Sequence, residues 1–136
     1  MTPVKVVLVE DSIVALEVLE RLLNSSPDID VVGTARDGAE ALRVINQTKP
    51  DVICTDLQMP TMDGLEFTQK LMAQNPLPVL VISNAVHPGD VENIYSLMKA
   101  GALDFFPKPN SGTATDYEKI KGALVTKIKV LSTKKR

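Results

Sequence analysis

The chain is short of cysteine, of histidine and of net charge, and each shortage removes a class of function. Its one cysteine, Cys54, has nothing to pair with in an internal disulfide. It stands inside the apolar run of "DVICTD", where a small core hydrophobe is expected rather than a reactive thiol. The one histidine, His87, falls in a loop, "NAVHPGD", and reads as a solvent-exposed residue rather than a catalyst. No G-x-S-x-G occurs to suggest a serine hydrolase. Lys and Arg number 15 against 17 Asp and Glu, a formal net charge of -2. That balance asks for neither nucleic acid nor an acidic membrane surface. Long apolar runs are also missing. The opening "MTPVKVVLVEDS" meets Glu10-Asp11 after a short apolar stretch, so neither a signal peptide nor a membrane span is expected, and a cytoplasmic protein is. There is no internal repeat and no low-complexity segment.

What is present is an ordinary globular composition, 136 residues with 44% apolar and 24% charged. A chain of that size buries roughly two-thirds of its unfolded surface, enough for one domain with a core. Short apolar runs alternate with helical periods. "KVVLV" (5–9) suits a strand buried on both faces. After it, Ile13, Leu16, Leu19 and Leu23 recur at helical spacing behind a Ser12 N-cap. "IDVVGTA" (29–35) gives a second strand, and "DGAEALRVINQT" a helix opened by Asp37 and closed before Pro50. "DVICTD" and "PVLVIS" (78–83) give strands three and four, with the helix "DGLEFTQKLMAQ" between them. "VENIYSLMKAG" (91–101) predicts a helix stopped by Gly101. "LDFFP" is strand five, and Ile120, Leu124, Ile128 and Leu131 make one stripe of a last helix. Five strand–helix alternations predict an α/β fold, a parallel sheet with helices on both faces. "KPNSGTAT" (108–115) reads as a linker and "STKKR" as a frayed basic tail. The expected division is one domain over 1–131 and a tail over 132–136.

Open parallel sheets bind ligands at the carboxyl ends of their strands. There the first strand ends in Glu10 and Asp11, the third in Asp56, the fourth in Ser83, and the fifth is followed by Lys108. Taken singly, each suits a wet strand end, a cap or a surface lysine. Five such residues at one edge are another matter. Clustered carboxylates repel one another and require a cation or a proton. Oxygen ligands without His or Cys point to Mg²⁺. Asp56 ends its strand in the turn segment "LQMPTMDG", where a carboxylate oxygen can attack a phosphoryl group and form an aspartyl phosphate. Mg²⁺, Lys108 and Ser83 would neutralise and orient its three non-bridging oxygens. Met59-Pro60 and the Asp63-Gly64 turn would set the path of the loop.

The segments "VLVEDS", "PDVICTDLQMPTMDGLE", "VLVIS" and "GALDFFPKP", in that order and spacing, resemble the response-regulator receiver domain of two-component signalling over about residues 4–131. The resemblance implies a flavodoxin-like (βα)5 doubly wound sheet of strand order 2-1-3-4-5. By position it implies Asp56 as phosphoacceptor, Asp11 as a direct Mg²⁺ ligand and Glu10 as a second acid acting through water. Gln58 would offer its backbone carbonyl to the metal. Ser83 and Lys108 would read the phosphate, Phe105 would be the aromatic switch, and the Lys108-Pro109 bond would be cis. Glu10 replaces the commoner Asp, and Phe105 the frequent Tyr. "SPDIDVVGTARDGAEAL" and "GALDFFPKP" look most like the N-terminal regulatory half of chemotaxis protein-glutamate methylesterases.

The implied partners are a sensor histidine kinase or histidine phosphotransfer domain, and a downstream protein or attached output domain. The resemblance puts signalling on a face with Tyr95, Met98, Phe105, Phe106 and the last helix. That face could make a homodimer or cover another domain. A stand-alone receiver and an excised regulatory domain both fit the length, and this chain itself would catalyse only its own phosphorylation and dephosphorylation. Two other classes use a similar frame. A flavodoxin-like cofactor binder needs a Ser/Thr- or Gly-rich phosphate loop after strand one, where Glu10-Asp11 would repel the phosphate. A haloacid-dehalogenase-like phosphatase wants a second Asp two residues after the first, where Gln58 stands.

Overall fold

Apolar side chains on both sides of a strand require cover on both sides, and the alternation of strands and helices supplies it. The computed structural model describes residues 2–57, 59–83, 88–109 and 114–134. In chain order the elements are β1 (Val4–Val9), α1 (Ile13–Asn24), β2 (Ile29–Ala35), α2 (Gly38–Thr48), β3 (Val52–Thr55), α3 (Gly64–Gln74), β4 (Val79–Ser83), α4 (Pro88–Ala100), β5 (Asp104–Pro107) and α5 (Ala114–Ser132). The five strands form one parallel sheet in the order β2-β1-β3-β4-β5, as the resemblance implied.

Alternate strand residues feed two cores. Val6, Leu8, Val52, Cys54, Leu80, Ile82 and Phe106 pack against Leu19, Leu22 and Leu23 of α1 and Leu124, Ile128 and Leu131 of α5. Val7, Val9, Ile53, Val79 and Val81 pack against Ala41 and Ile45 of α2, Phe67 and Leu71 of α3, and Leu97 of α4. Burial pushes the Cys54 thiol up to about 12, consistent with the inert core role.

Three helices begin on side-chain caps, expected at Ser12 and Asp37 and found also at Asp63. Ser12, Asp37 and Asp63 accept from the backbone N–H groups of Ala15, Glu40 and Glu66 at 3.2, 2.9 and 3.0 Å. Each such cap contributes about 1 kcal/mol. Gly101 ends α4 at φ 129°, with its N–H on Met98 O and the Ala102 N–H on Leu97 O, a turn that a side chain would strain.

The structure corrects several expectations. α4 starts at Pro88, three residues before "VENIYSLMKAG", because proline suits a first turn whose N–H groups have no helical acceptor. Ile13 does not join the buried stripe of α1; in the first turn of the helix it is 54% exposed, beside Val14 at 67%. Phe106 is buried rather than on the open face, because neighbours on a strand point to opposite sides. The tail is less frayed than expected: α5 includes Ser132, and Thr133 and Lys134 bond back to Val130 and Leu131. The Lys108-Pro109 bond, expected cis, is trans, the form an X–Pro bond prefers by about 0.5–1 kcal/mol. Gln58, His87, residues 110–113 of the linker and the tail residues Lys135 and Arg136 lie outside the described residues.

Candidate functional site

Strand pairing runs one residue past the strand ends, and those extra bonds align the site. The Asp56 N–H donates to Val9 O at 2.9 Å, the Glu10 N–H to Ala35 O at 2.9 Å, and the Lys108 N–H to Ser83 O at 3.1 Å. Glu10 and Asp56 therefore leave the sheet side by side, while Lys108 leaves it beside Ser83, the buried last residue of β4.

Lys108 joins the two carboxylates. Its ammonium is ion-paired with Glu10 and stands 3.1 Å from Asp56 Oδ2. The other Asp56 oxygen accepts from the Leu57 N–H at 2.7 Å. Glu10 is 3% exposed, and its Oε2 accepts from the Ser12 N–H at 2.9 Å. Burial, and then the negative charge of Asp56, hold the Glu10 carboxyl above the usual glutamate range; Lys108 and the Ser12 N–H pull it back. Burial works against the Lys108 ammonium, but the charges of Asp56 and Glu10 outweigh it and raise its pKa. The site holds its lysine charged.

Of the residues expected at this edge, Glu10, Asp56 and Lys108 meet directly, and Ser83 lies at the neighbouring strand end. Asp11 does not join the cluster; it is exposed. Among the described residues no three carboxylate, imidazole or thiol side chains are drawn together for a metal. One ammonium is shared by two carboxylates, and the third carboxylate is left exposed. Phe105 is half-buried among the side chains of the α2–α4 face.

The loop after Asp56 is tightly built. A Cβ on Gly64 would lie 2.7 Å from Asp56 O and 2.9 Å from Leu57 O, so only glycine lets α3 start against the backbone of the site. Thr61 has φ 65°, and the Met62 N–H reaches back to Pro60 O at 2.6 Å, a tight turn unusual for a β-branched residue. Met62 O in turn accepts the Gly38 N–H at 3.1 Å, tying the loop to α2.

Two further residues near the site were not singled out in the sequence. Arg36, directly after β2, donates from Nε to the Asp11 carbonyl at 2.9 Å. Tyr117 of α5 is buried, and its phenol is raised by that burial while sensing the charges of Lys108, Glu10 and Asp56. A strand exit followed by a long cation would have marked Arg36; Tyr117 reads as one more core position.

Comparison with known proteins identifies the family. The response regulator receiver domain family matches residues 6–115. The chain is 40% identical over 125 residues to a protein-glutamate methylesterase/protein-glutamine glutaminase of Halalkalibacterium halodurans, covering 92% of the chain and 36% of that protein. A Pyrococcus horikoshii protein of the same description is 38% identical over 126 residues, covering 93% and 34%. The chain thus spans about a third of the length of these relatives. Among solved structures, the response regulator domain of Thermotoga maritima CheB matches with a TM-score of 0.85 and 32% identity, over 96% of this chain and 97% of that one. The phosphatase and cofactor-binder alternatives find no support in these matches. The chain belongs to the response regulator receiver domain family, the phosphorylation-dependent switches of two-component signalling.

Proposed function

We propose that Asp56 is the phosphoacceptor of this receiver, and that its partner in the transfer is a phosphohistidine of a sensor kinase or phosphotransfer domain. The observation that carries this is Lys108, held charged between Asp56 at 3.1 Å and the buried Glu10. A carboxylate oxygen of Asp56 attacks phosphorus, the new P–O bond forms as the P–N bond breaks, and the imidazole leaves with the nitrogen electron pair. Lys108 neutralises charge on the phosphoryl oxygens, and the Ser83 hydroxyl is the donor on the neighbouring strand.

The donor set at the strand exits is all oxygen and, with Lys108 counted, remains net negative, which fits a hard divalent cation. Asp11 and Asp56 would hold Mg²⁺ directly and Glu10 through water; the carbonyl ligand of the family pattern falls at Gln58. When bound, Mg²⁺ supplies positive charge to the non-bridging phosphoryl oxygens.

After transfer Ser83 moves toward the phosphate and Phe105 turns inward, changing the surface of α4, β5 and α5. That surface regulates a downstream protein or an attached output domain. Similarity to methylesterases supports a protein-glutamate methylesterase as the parent, a chemotaxis role and a cytoplasmic location. Among the described residues no helix is long and apolar enough to cross a membrane. The receiver unit is taken as residues 1–131, with 132–136 as its tail.

Intact-mass measurement after treatment with acetyl phosphate and Mg²⁺ tests the assignment. One phosphoryl adduct is expected, decaying slowly and absent in Asp56→Asn. An adduct that survives in that variant overturns the role of Asp56, and steady turnover of acetyl phosphate without an adduct overturns the receiver chemistry.

A further inference from the structure

We propose that Arg36 is a positioning residue for the cation site, acting through the backbone of Asp11. This rests on the reading of Asp11 as a metal ligand. Asp11 is exposed and its carboxylate is outside the Glu10–Lys108–Asp56 cluster, so its aim depends on the backbone that carries it. Both flanks of that backbone are fixed. The Glu10 N–H is bonded to Ala35 O at 2.9 Å, and the Ser12 N–H to the Glu10 carboxylate at 2.9 Å. The Asp11 carbonyl between them is taken by the Arg36 Nε–H at 2.9 Å. This bond joins residues 25 positions apart and crosses from the exit of β2 to the exit of β1.

Arg36 is itself well anchored. Its N–H reaches Glu40 Oε1 at 3.3 Å, and the next residue, Asp37, is the N-cap of α2. The clamp therefore hangs from a helix start and not from a free loop. Its use of arginine is informative, because a guanidinium close to a cation site is electrostatically the wrong sign. Coulomb repulsion alone would make Arg36 an obstacle to Mg²⁺. A residue that weakens binding through its charge and strengthens it through its hydrogen bond can be dissected, since the two effects have opposite signs.

Two substitutions separate them. Arg36→Gln puts an amide nitrogen at the position of Nε, keeping the donor and removing the charge. Arg36→Met keeps the aliphatic stem and removes both. Mg²⁺ affinity is measured by isothermal titration on the full chain, with thermal melting in EDTA as a control for folding. Arg36→Met is expected to bind Mg²⁺ on the order of tenfold more weakly, the usual effect of losing an outer-shell partner. Arg36→Gln is expected to match the wild type or bind more tightly. If Arg36→Met binds as tightly as the wild type or more so, the guanidinium acts by charge alone and the proposal is overturned. If Arg36→Gln is weakened as much as Arg36→Met, the Nε hydrogen bond is not the agent, and it is overturned as well. A wild type with no saturable Mg²⁺ binding would overturn the reading of the cation site beneath both; Asp56 phosphorylation is scored separately by mass.

Discussion

Replacing Lys108 by methionine should destabilise the metal-free protein strongly, and acid should undo the damage. Methionine keeps most of the aliphatic stem, so the change isolates the ammonium. Its loss leaves Glu10 and Asp56 adjacent, with side chains only 4% and 15% exposed, and no cation between them. Removing one partner of a buried ion pair typically costs 3–5 kcal/mol; the partial exposure of Asp56 argues for the low end, about 3 kcal/mol. In a domain of this length that lowers the melting temperature by roughly 10 °C.

The pH dependence follows from Glu10. Its folded-state pKa already lies above the ordinary value because of burial and Asp56, and losing Lys108 raises it further. A carboxyl group with a raised folded pKa contributes stability below its unfolded pKa, and that contribution disappears as pH rises through the folded pKa. The deficit of Lys108→Met is therefore full at mildly alkaline pH and shrinks on acidification, as Glu10 takes up its proton. Thermal melts of both proteins in EDTA at about pH 8 and pH 5 measure it. Equal melting at the higher pH, or a gap that pH does not change, would show that water already screens the two carboxylates.

Three other substitutions probe the surroundings of the site. Gly64→Ala should cost on the order of 2 kcal/mol, because its Cβ meets two backbone carbonyls that cannot yield, and it should slow phosphorylation by acetyl phosphate; urea denaturation showing no loss would refute the close approach. Thr61→Asn should raise the melting temperature by a few degrees, roughly 0.5–1 kcal/mol, by relieving a β-branched residue at φ 65°. Thr68, in α3, buries a hydroxyl that has no hydrogen-bond partner among the described residues, so Thr68→Val should stabilise by about 1 kcal/mol. A lower midpoint in either of these last two variants would count against the local geometry described.

Much of this molecule is decided by short-range physics that a sequence displays. Runs such as "VLV" and "VIC" are apolar at every position because both faces of an interior parallel strand are covered, and Ser12, Asp37 and Asp63 announce helices through caps that act within three residues. The strand-end residues Glu10, Asp56, Ser83 and Lys108 were legible for the same reason: each follows directly from where its strand stops. What the tertiary structure decided depends on partners far apart in the chain. Lys108 meets Asp56 52 positions away, while Asp11 stays exposed outside the cluster. Arg36 reaches the Asp11 carbonyl only because β2 pairs beside β1. Phe106 is buried because the pleat of β5 sets which core it joins, and Ile13 stays exposed although its spacing matches the buried stripe of α1. Spacing along the chain determines which side chains share a face; which of them share a charge depends on how strands align, and that is a property of the folded sheet alone.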